Sequence, residues 1–361
     1  MRGKYLINFD TLSRFSGIAG RFIRISHRRL DLKVKKANIV VTDGYTLNPG
    51  DNPWDAMAKL GNLTVYERLT VDEVVERCRE AEILVVNKTR IRESALAEMS
   101  GLRFIAVSAT GFDCVDIEAA GKRGIAVSNV PVYGTDSVAQ YVFSAILHLW
   151  HNIAVHDTAV KAGDWARQPD WSFWQTPLVE LRDKTIGIIG FGRIGRRVGQ
   201  LADAFGMRVL AHDPYHGDPP NYRAFAWSSL EDLFAQSDVV TLHAPLTDDN
   251  HRFVKRILLE RMKKSAILIN ASRGGLIEEN DLAEALNSGR LAGAVVDVVS
   301  TEPIAPDNPL LSARDIAITP HLAWATLDAR RRLMASTTEN IRAFLDGAPQ
   351  NMVNAMHLAP G

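Results

Sequence analysis

From Asn38 onward, short β-branched runs alternate with amphipathic stretches. The runs are Ile39-Val40-Val41, Leu63-Thr64-Val65, Ile83-Leu84-Val85-Val86, Phe104-Ile105-Ala106-Val107 and Ile125-Ala126-Val127. Between them, residues 71–81, 92–99 and 116–122 carry helical spacing. A run that is apolar at every position must be covered on both faces, and crossover helices between such runs make neighbouring strands parallel. This part of the chain predicts a small parallel α/β domain.

A long helix is predicted from Ser137 to Asn152, with Val138, Tyr141, Val142, Ala145, Ile146 and Leu149 recurring at intervals of three and four. Its wide apolar face fits two readings, a core helix joining two domains and a subunit interface. An aromatic stretch with Trp165, Trp171, Phe173 and Trp174 follows. Strand candidates then recur at 185–190, 207–211, 238–242, 265–270, 293–298 and 315–319, which predicts a doubly wound sheet of six strands. A helix near 327–346, stopped by Gly347, closes the pattern.

The length of 361 residues agrees with two domains at ~150 residues each. Forty-two basic residues balance 42 acidic ones, so no global field draws the chain to nucleic acid or an anionic membrane. No apolar run approaches the ~20 residues that span a bilayer. Cys78 and Cys114 supply neither a disulfide framework nor a metal-ligand spacing, so no metal and a reducing, cytoplasmic compartment are expected. Residues 1–37 stand apart as a basic extension, with ten Lys or Arg up to Lys36 against Asp10 and Asp31. Three readings fit it: disorder, an upstream stretch added by a misplaced start codon, or a transit peptide. The last lacks a clean amphipathic repeat.

The strongest local signal is Thr185-Ile186-Gly187-Ile188-Ile189-Gly190-Phe191-Gly192-Arg193-Ile194-Gly195, a β run leading through three glycines into helical spacing. Gly190 permits a tight turn, Gly192 a close approach of backbone to a pyrophosphate, and Gly195 close packing of helix on strand, while free N–H groups at the helix start favour phosphate. Asp213 follows the next run at an offset of 18 residues from Gly195, where a carboxylate accepts from adenosine ribose hydroxyls and repels a 2′-phosphate. This favours NAD over NADP; a plain Asp213-Pro214 turn fits the same residues.

Three further segments end strands of the second series. Arg273 lies in Asn270-Ala271-Ser272-Arg273-Gly274-Gly275, Asp297 precedes Glu302-Pro303, and His321 ends Thr319-Pro320-His321. Singly, each has an ordinary explanation: a surface ion pair, a loop acid, a core histidine. Together, after a nucleotide loop, they supply the carboxylate clamp and the proton donor that an alcohol–carbonyl hydride transfer needs.

On these motifs the chain, from about residue 38 to 356, resembles the D-isomer-specific 2-hydroxyacid dehydrogenases. The segments Tyr133-Gly134-Thr135-Asp136-Ser137-Val138-Ala139-Gln140, Trp171-Ser172-Phe173-Trp174 and His321-Leu322-Ala323-Trp324-Ala325-Thr326 bring it nearest the hydroxypyruvate reductase/glycerate dehydrogenase branch. The resemblance implies two Rossmann-like/flavodoxin-like doubly wound parallel-sheet domains with the active site in the cleft between them. The substrate domain would be discontinuous, 38–136 with 325–356, and residues 137–324 would bind NAD. It further implies that Arg273 clamps the substrate, His321 is the general acid/base and Glu302 pairs with it. Cofactor contacts fall on Gly190, Gly192, Arg193, Ile194, Gly195, Asp213, His243, Ala271 and Asp297. Substrate contacts fall on Lys88, Ala109, Thr110, Gly111 and Trp324 besides Arg273. The expected substrate is a small 2-oxoacid, hydroxypyruvate or glyoxylate, and the expected partner is a second copy, joined through the 137–152 helix. Two rivals remain: an NAD(H)-sensing corepressor-like binder, and a dehydrogenase of the same fold for another 2-oxoacid.

Overall fold

The protein is described by a computed structural model over residues 36–358. The expected basic extension falls outside the described residues except at its end, where Ala37 already opens the first strand.

The first apolar runs form β1 (Ala37–Val41), β2 (Gly61–Val65), β3 (Ile83–Val86), β4 (Phe104–Val107) and β5 (Ala126–Ser128), all parallel, in the order β2-β1-β3-β4-β5. The second series forms β6 (Thr185–Ile189), β7 (Arg208–His212), β8 (Phe225–Trp227), β9 (Val239–Leu242), β10 (Ile267–Asn270), β11 (Gly293–Val296) and β12 (Ile316–Ile318). These too are parallel, in the order β12-β11-β10-β9-β6-β7-β8. The sheet has seven strands rather than the expected six. The added strand, β8, is a three-residue edge strand with no fully buried position, so it leaves no apolar run to detect. It is held by its rings, Phe225 and Trp227 lying 5.2 and 5.4 Å from Phe191.

Each sheet reverses direction once, between β1 and β3 and between β6 and β9. At such points successive loops leave in opposite directions and open a crevice beyond the carboxyl ends of the strands. β3, β4, β9, β10 and β11 are buried along their whole length, as strands covered on both faces must be.

Two helices connect the sheets. Thr135–His151 leaves β5 and buries Ala139, Val142, Phe143, Ile146 and Trp150 in the core of the second sheet. Its apolar face is therefore spent inside the chain, as a helix joining two domains requires. Asn152, in the left-handed conformation at φ 45°, ends it and starts a further helix, Ile153–Lys161. Some of the apolar surface left uncovered follows this turn: Ile153, Trp171, Trp174 and Leu178 are all more than half exposed. Leu327–Leu345 returns the chain to the first sheet, burying Leu333 and Ile341 and stacking Phe344 on Phe104 at 4.4 Å. Gly347 ends it at φ 80°.

Candidate active site

The glycine loop after β6 is built by exclusion. Gly190 has φ 88°, and a Cβ there would stand 2.5 Å from the Ala244 nitrogen and 2.6 Å from the His243 carbonyl carbon. A Cβ on Gly195 would meet the Gly190 oxygen at 2.1 Å, so only glycine lets helix Arg193–Ala204 sit this close to β6. A Cβ on Gly192 would meet nothing within 4 Å. What it would fill is the mouth of a cavity. The first N–H groups of a helix lack intrahelical acceptors, and those after Gly192 open on that space. Asp213 ties the loop down: Phe191 N–H donates to its Oδ2 at 2.7 Å and Tyr215 N–H to its Oδ1 at 2.9 Å. Each oxygen keeps acceptor capacity for a hydroxyl. A cradle that a side chain would fill, a helix start and an acceptor carboxylate together fit a dinucleotide.

The catalytic candidates come from β10, β11 and β12. Asp297, directly after β11, is buried, and its carboxylate accepts from Thr319 Oγ1 at 2.6 Å and from the N–H groups of Leu322 and Ala323, both at 2.8 Å. Burial raises its carboxyl above the ordinary value, the Thr319 and backbone bonds opposing. The Asp297 carbonyl also takes the His321 N–H at 2.7 Å, and His321 stands at φ 54°. His321 Nδ1 lies 2.7 Å from Glu302 Oε2. Burial pushes the Glu302 carboxyl up, but the bond and charge of His321, with help from Val299 N–H and Lys88, outweigh it and hold the group below its ordinary value. The pair is therefore a carboxylate on Nδ1, which leaves Nε2 for other chemistry. Arg273 follows β10. Its carbonyl accepts from the Asn270 amide at 2.9 Å, and its Nη1 donates to the Ser272 carbonyl at 2.8 Å.

Facing these are the loops of the first sheet. Asn87 Nδ2 donates to the Ser108 carbonyl at 2.6 Å, Asn129 Nδ2 to the Thr110 carbonyl at 2.7 Å, and Thr110 Oγ1 to the Val130 carbonyl at 3.0 Å. Gly111 lies under Arg273: a Cβ there would be 2.1 Å from the Arg273 Nη2.

All these loops wall one cavity of about 620 Å³. Of the expected substrate contacts it is lined by Lys88, Ala109, Thr110, Gly111, Arg273 and Trp324, and of the catalytic ones by Arg273 and His321. Gly192, Arg193, Ile194, Gly195, His243, Ala271 and Asp297 line its nucleotide side. Gly190, Asp213 and Glu302 stand outside the lining: Gly190 turns the chain, Asp213 ties the loop and Glu302 backs His321. Burial pushes the His243 ring below the ordinary histidine range, and its Nε2 lies 3.0 Å from Thr241 Oγ1.

Among the lining or supporting residues that escaped sequence reasoning are Tyr133 and Asp43. Tyr133, on the cavity wall and edge-on to Trp324, is pushed up to about 12 by burial, with the Arg273 charge opposing. It lies in a quoted segment, but nothing in its spacing marks it. Asp43, after β1, holds the backbone of the 87–89 loop. Among the described residues no group of three His, Cys, Asp or Glu is placed to hold a metal ion, and no helix is long and apolar enough to cross a membrane.

Residues 143–323 match the family described as D-isomer specific 2-hydroxyacid dehydrogenase, NAD binding domain. The chain is 44% identical over 319 residues to a hydroxypyruvate reductase of Blautia hydrogenotrophica, covering 88% of this chain and 99% of that one. It is 39% identical to a glycerate dehydrogenase of Methylorubrum extorquens, over 79% of this chain and 90% of the relative. Among solved structures, a D-lactate dehydrogenase from Aquifex aeolicus complexed with NAD and lactic acid superposes with a TM-score of 0.76 at 28% identity, over 90% of this chain and 100% of that one.

Proposed function

The chain belongs to the D-isomer-specific 2-hydroxyacid dehydrogenase family, an oxidoreductase group acting on CH–OH donors, and from that premise we propose that it reduces hydroxypyruvate, and with it glyoxylate, to the D-2-hydroxyacid with NADH. The observation that carries the reading is the His321–Glu302 pair at 2.7 Å, set beside Arg273 on the cavity that the glycine loop opens into.

Gly190, Gly192, Gly195 and Asp213 would hold the dinucleotide, whose nicotinamide would supply the hydride. Arg273 takes the substrate carboxylate and polarises the carbonyl, a planar fork matched to two oxygens. No protein acceptor among the described residues meets the Thr110 or Gly111 N–H, which leaves both for the same carboxylate. Glu302 accepts from Nδ1 and fixes the ring plane, so Nε2 of the protonated ring donates its proton to the forming alkoxide. Asp297 holds the loop that carries the ring. The carboxylate of Asp213 repels a 2′-phosphate, which supports NAD over NADP. Arg90 and Arg92, close to Lys88 in sequence, lie outside the cavity lining, which favours a substrate without a phosphate.

The same reading includes closure of a discontinuous domain, 38–136 with 325–356, on residues 137–324, and a homodimer. Its interface is proposed for the 137–152 helix region together with the exposed apolar residues of 153–178 that follow it. The free, buried thiols of Cys78 and Cys114, both pushed up to about 11 chiefly by burial, suit a reducing cytoplasm.

The test is His321→Gln, assayed by NADH oxidation with hydroxypyruvate, glyoxylate, pyruvate and 2-oxoglutarate. Turnover should fall about 10³-fold while NADH binding, read by fluorescence, is kept. Near-normal turnover removes His321 from its role, and tight NADH binding by the unaltered protein with no turnover on the whole panel removes the substrate class.

A further inference from the structure

Asp43 sits two residues past β1, at the point where the first sheet reverses direction, and the loop after β3 carries Lys88 past it. Three consecutive backbone N–H groups of that loop converge on its carboxylate: Asn87 donates to Oδ1 at 2.8 Å, Lys88 to Oδ2 at 2.5 Å and Thr89 to Oδ2 at 2.8 Å. Thr42 Oγ1 adds a fourth bond to Oδ1 at 3.1 Å. Bonds from N–H to an ionised acceptor are roughly twice as strong as neutral ones, and three in sequence leave the loop one conformation. The loop is also tied sideways, Asn87 bridging to the Ser108 carbonyl at 2.6 Å and accepting from Thr46 Oγ1 at 3.4 Å. None of these bonds uses the Lys88 side chain, which is exposed and lines the cavity. Its charge is among those that favour the Glu302 carboxylate.

We propose that Asp43 is a positioning residue: it fixes the 87–89 backbone so that the Lys88 ammonium meets the substituent a 2-oxoacid carries beyond its carbonyl, and so sets preference for an oxoacid with a polar third carbon. The proposal rests on the 2-oxoacid reading above. Arg273 and His321 grip the two carbons common to every 2-oxoacid. Lys88, from the opposite sheet, is left for what differs. Asp43 touches neither substrate nor cofactor.

Asp43→Asn removes the charge and turns an amide N–H toward backbone N–H groups, so at least one of the three loses its acceptor. The KM for hydroxypyruvate should rise about tenfold, and that for glyoxylate, which has no third carbon, less than about threefold. Turnover of both and NADH binding should stay within about threefold. On a Lys88→Ala background the same substitution should add nothing to the hydroxypyruvate KM. Equal KM rises for the two oxoacids, or a full Asp43→Asn penalty without Lys88, overturns the proposal. Asp43→Ser, which also keeps one acceptor oxygen but turns no amide N–H toward the loop, should give the same discrimination and serves if the Asn variant does not fold. Amide hydrogen exchange separates this proposal from the functional reading on which it rests. Exchange at 87–89 should accelerate in the Asn variant whatever the substrate, and unchanged exchange sinks the positioning role even in a protein that reduces hydroxypyruvate. Accelerated exchange in a protein that binds NADH but reduces neither oxoacid refutes the 2-oxoacid reading, and the specificity role with it.

Discussion

Gly111→Ala should disable the protein without unfolding it. The added methyl carbon would stand 2.1 Å from Arg273 Nη2, where ordinary contact begins at 3.4 Å, so the guanidinium must retreat by about 1.3 Å. It can retreat because it is the far end of a flexible side chain, one-third exposed, held through Nη1 by the Ser272 carbonyl and through Nη2 only at 3.9 Å by the exposed Asp113 carboxylate. Gly111 is not in the left-handed region, so alanine carries no backbone strain there and lowers the entropy of the unfolded chain, worth about 0.4–1 kcal/mol. Misplacement by ~1 Å costs about 10² in rate, or ~2.7 kcal/mol of transition-state stabilisation. The expected result is kcat/KM for hydroxypyruvate down about a hundredfold, with NADH affinity and melting temperature at or slightly above the parent values. On an Arg273→Ala background the penalty should vanish, since no guanidinium is left to displace. A variant with kcat/KM within about threefold of the parent would show that the position of the guanidinium against Gly111 is immaterial to the reaction.

The nucleotide loop separates fold from binding at neighbouring glycines: Gly195→Ala, whose Cβ meets a backbone oxygen at 2.1 Å, should cost about 3 kcal/mol in urea unfolding, whereas Gly192→Ala, with no neighbour within 4 Å, should unfold like the parent yet bind NADH at least about tenfold more weakly. The reverse ranking would contradict the cradle. Because the folded Glu302 carboxyl is held below its ordinary value of 4.5, its contribution to stability is present above that pH and is lost as pH falls through the lowered value. The unfolding midpoints of the parent and of Glu302→Gln should therefore differ by a constant gap at neutral pH that closes toward acid; a gap that widens instead reverses the sign of the pair. Sedimentation should show a dimer that Trp171→Ser weakens, Trp171 being 88% exposed, and a parent that stays monomeric at every concentration discards the interface.

What was legible in the sequence is what is local. The central strands of both sheets are continuous apolar runs, and Gly190, Gly192 and Gly195 lie in a spacing of a few residues that marks a nucleotide loop. β8 was not legible, because three partly exposed residues make no pattern and its hold comes from rings on Phe191. The helix Ile153–Lys161 was not legible either. Its Ile153, Val155 and Val160 point to solvent, so apolar spacing there does not report burial. The pairing of Glu302 with His321 came from family resemblance, since residues 19 apart reveal no contact by spacing. Asp43 was invisible for the same reason, its partners lying 44 to 46 residues away, while Thr42-Asp43-Gly44 by itself reads as an ordinary turn.

One device recurs at three places around the cavity. Asp43 follows β1 and holds N–H groups of the loop after its neighbour β3; Asp213 follows β7 and holds Phe191 after its neighbour β6; Asp297 follows β11 and holds Leu322 and Ala323 after its neighbour β12. In a parallel sheet all strands end on one edge, where loop N–H groups have lost the ladder, so an acid one or two residues past a strand is within reach of the next loop. A carboxylate used this way accepts from backbone and leaves its neighbours' side chains free. Lys88, the open turn at Gly192 and His321 are what the three held loops present to the cavity. On the proposed function each acid governs one loop and one role: substrate discrimination, nucleotide binding or proton transfer. Substituting them one at a time should break those functions separately, an outcome a shared structural role would not produce.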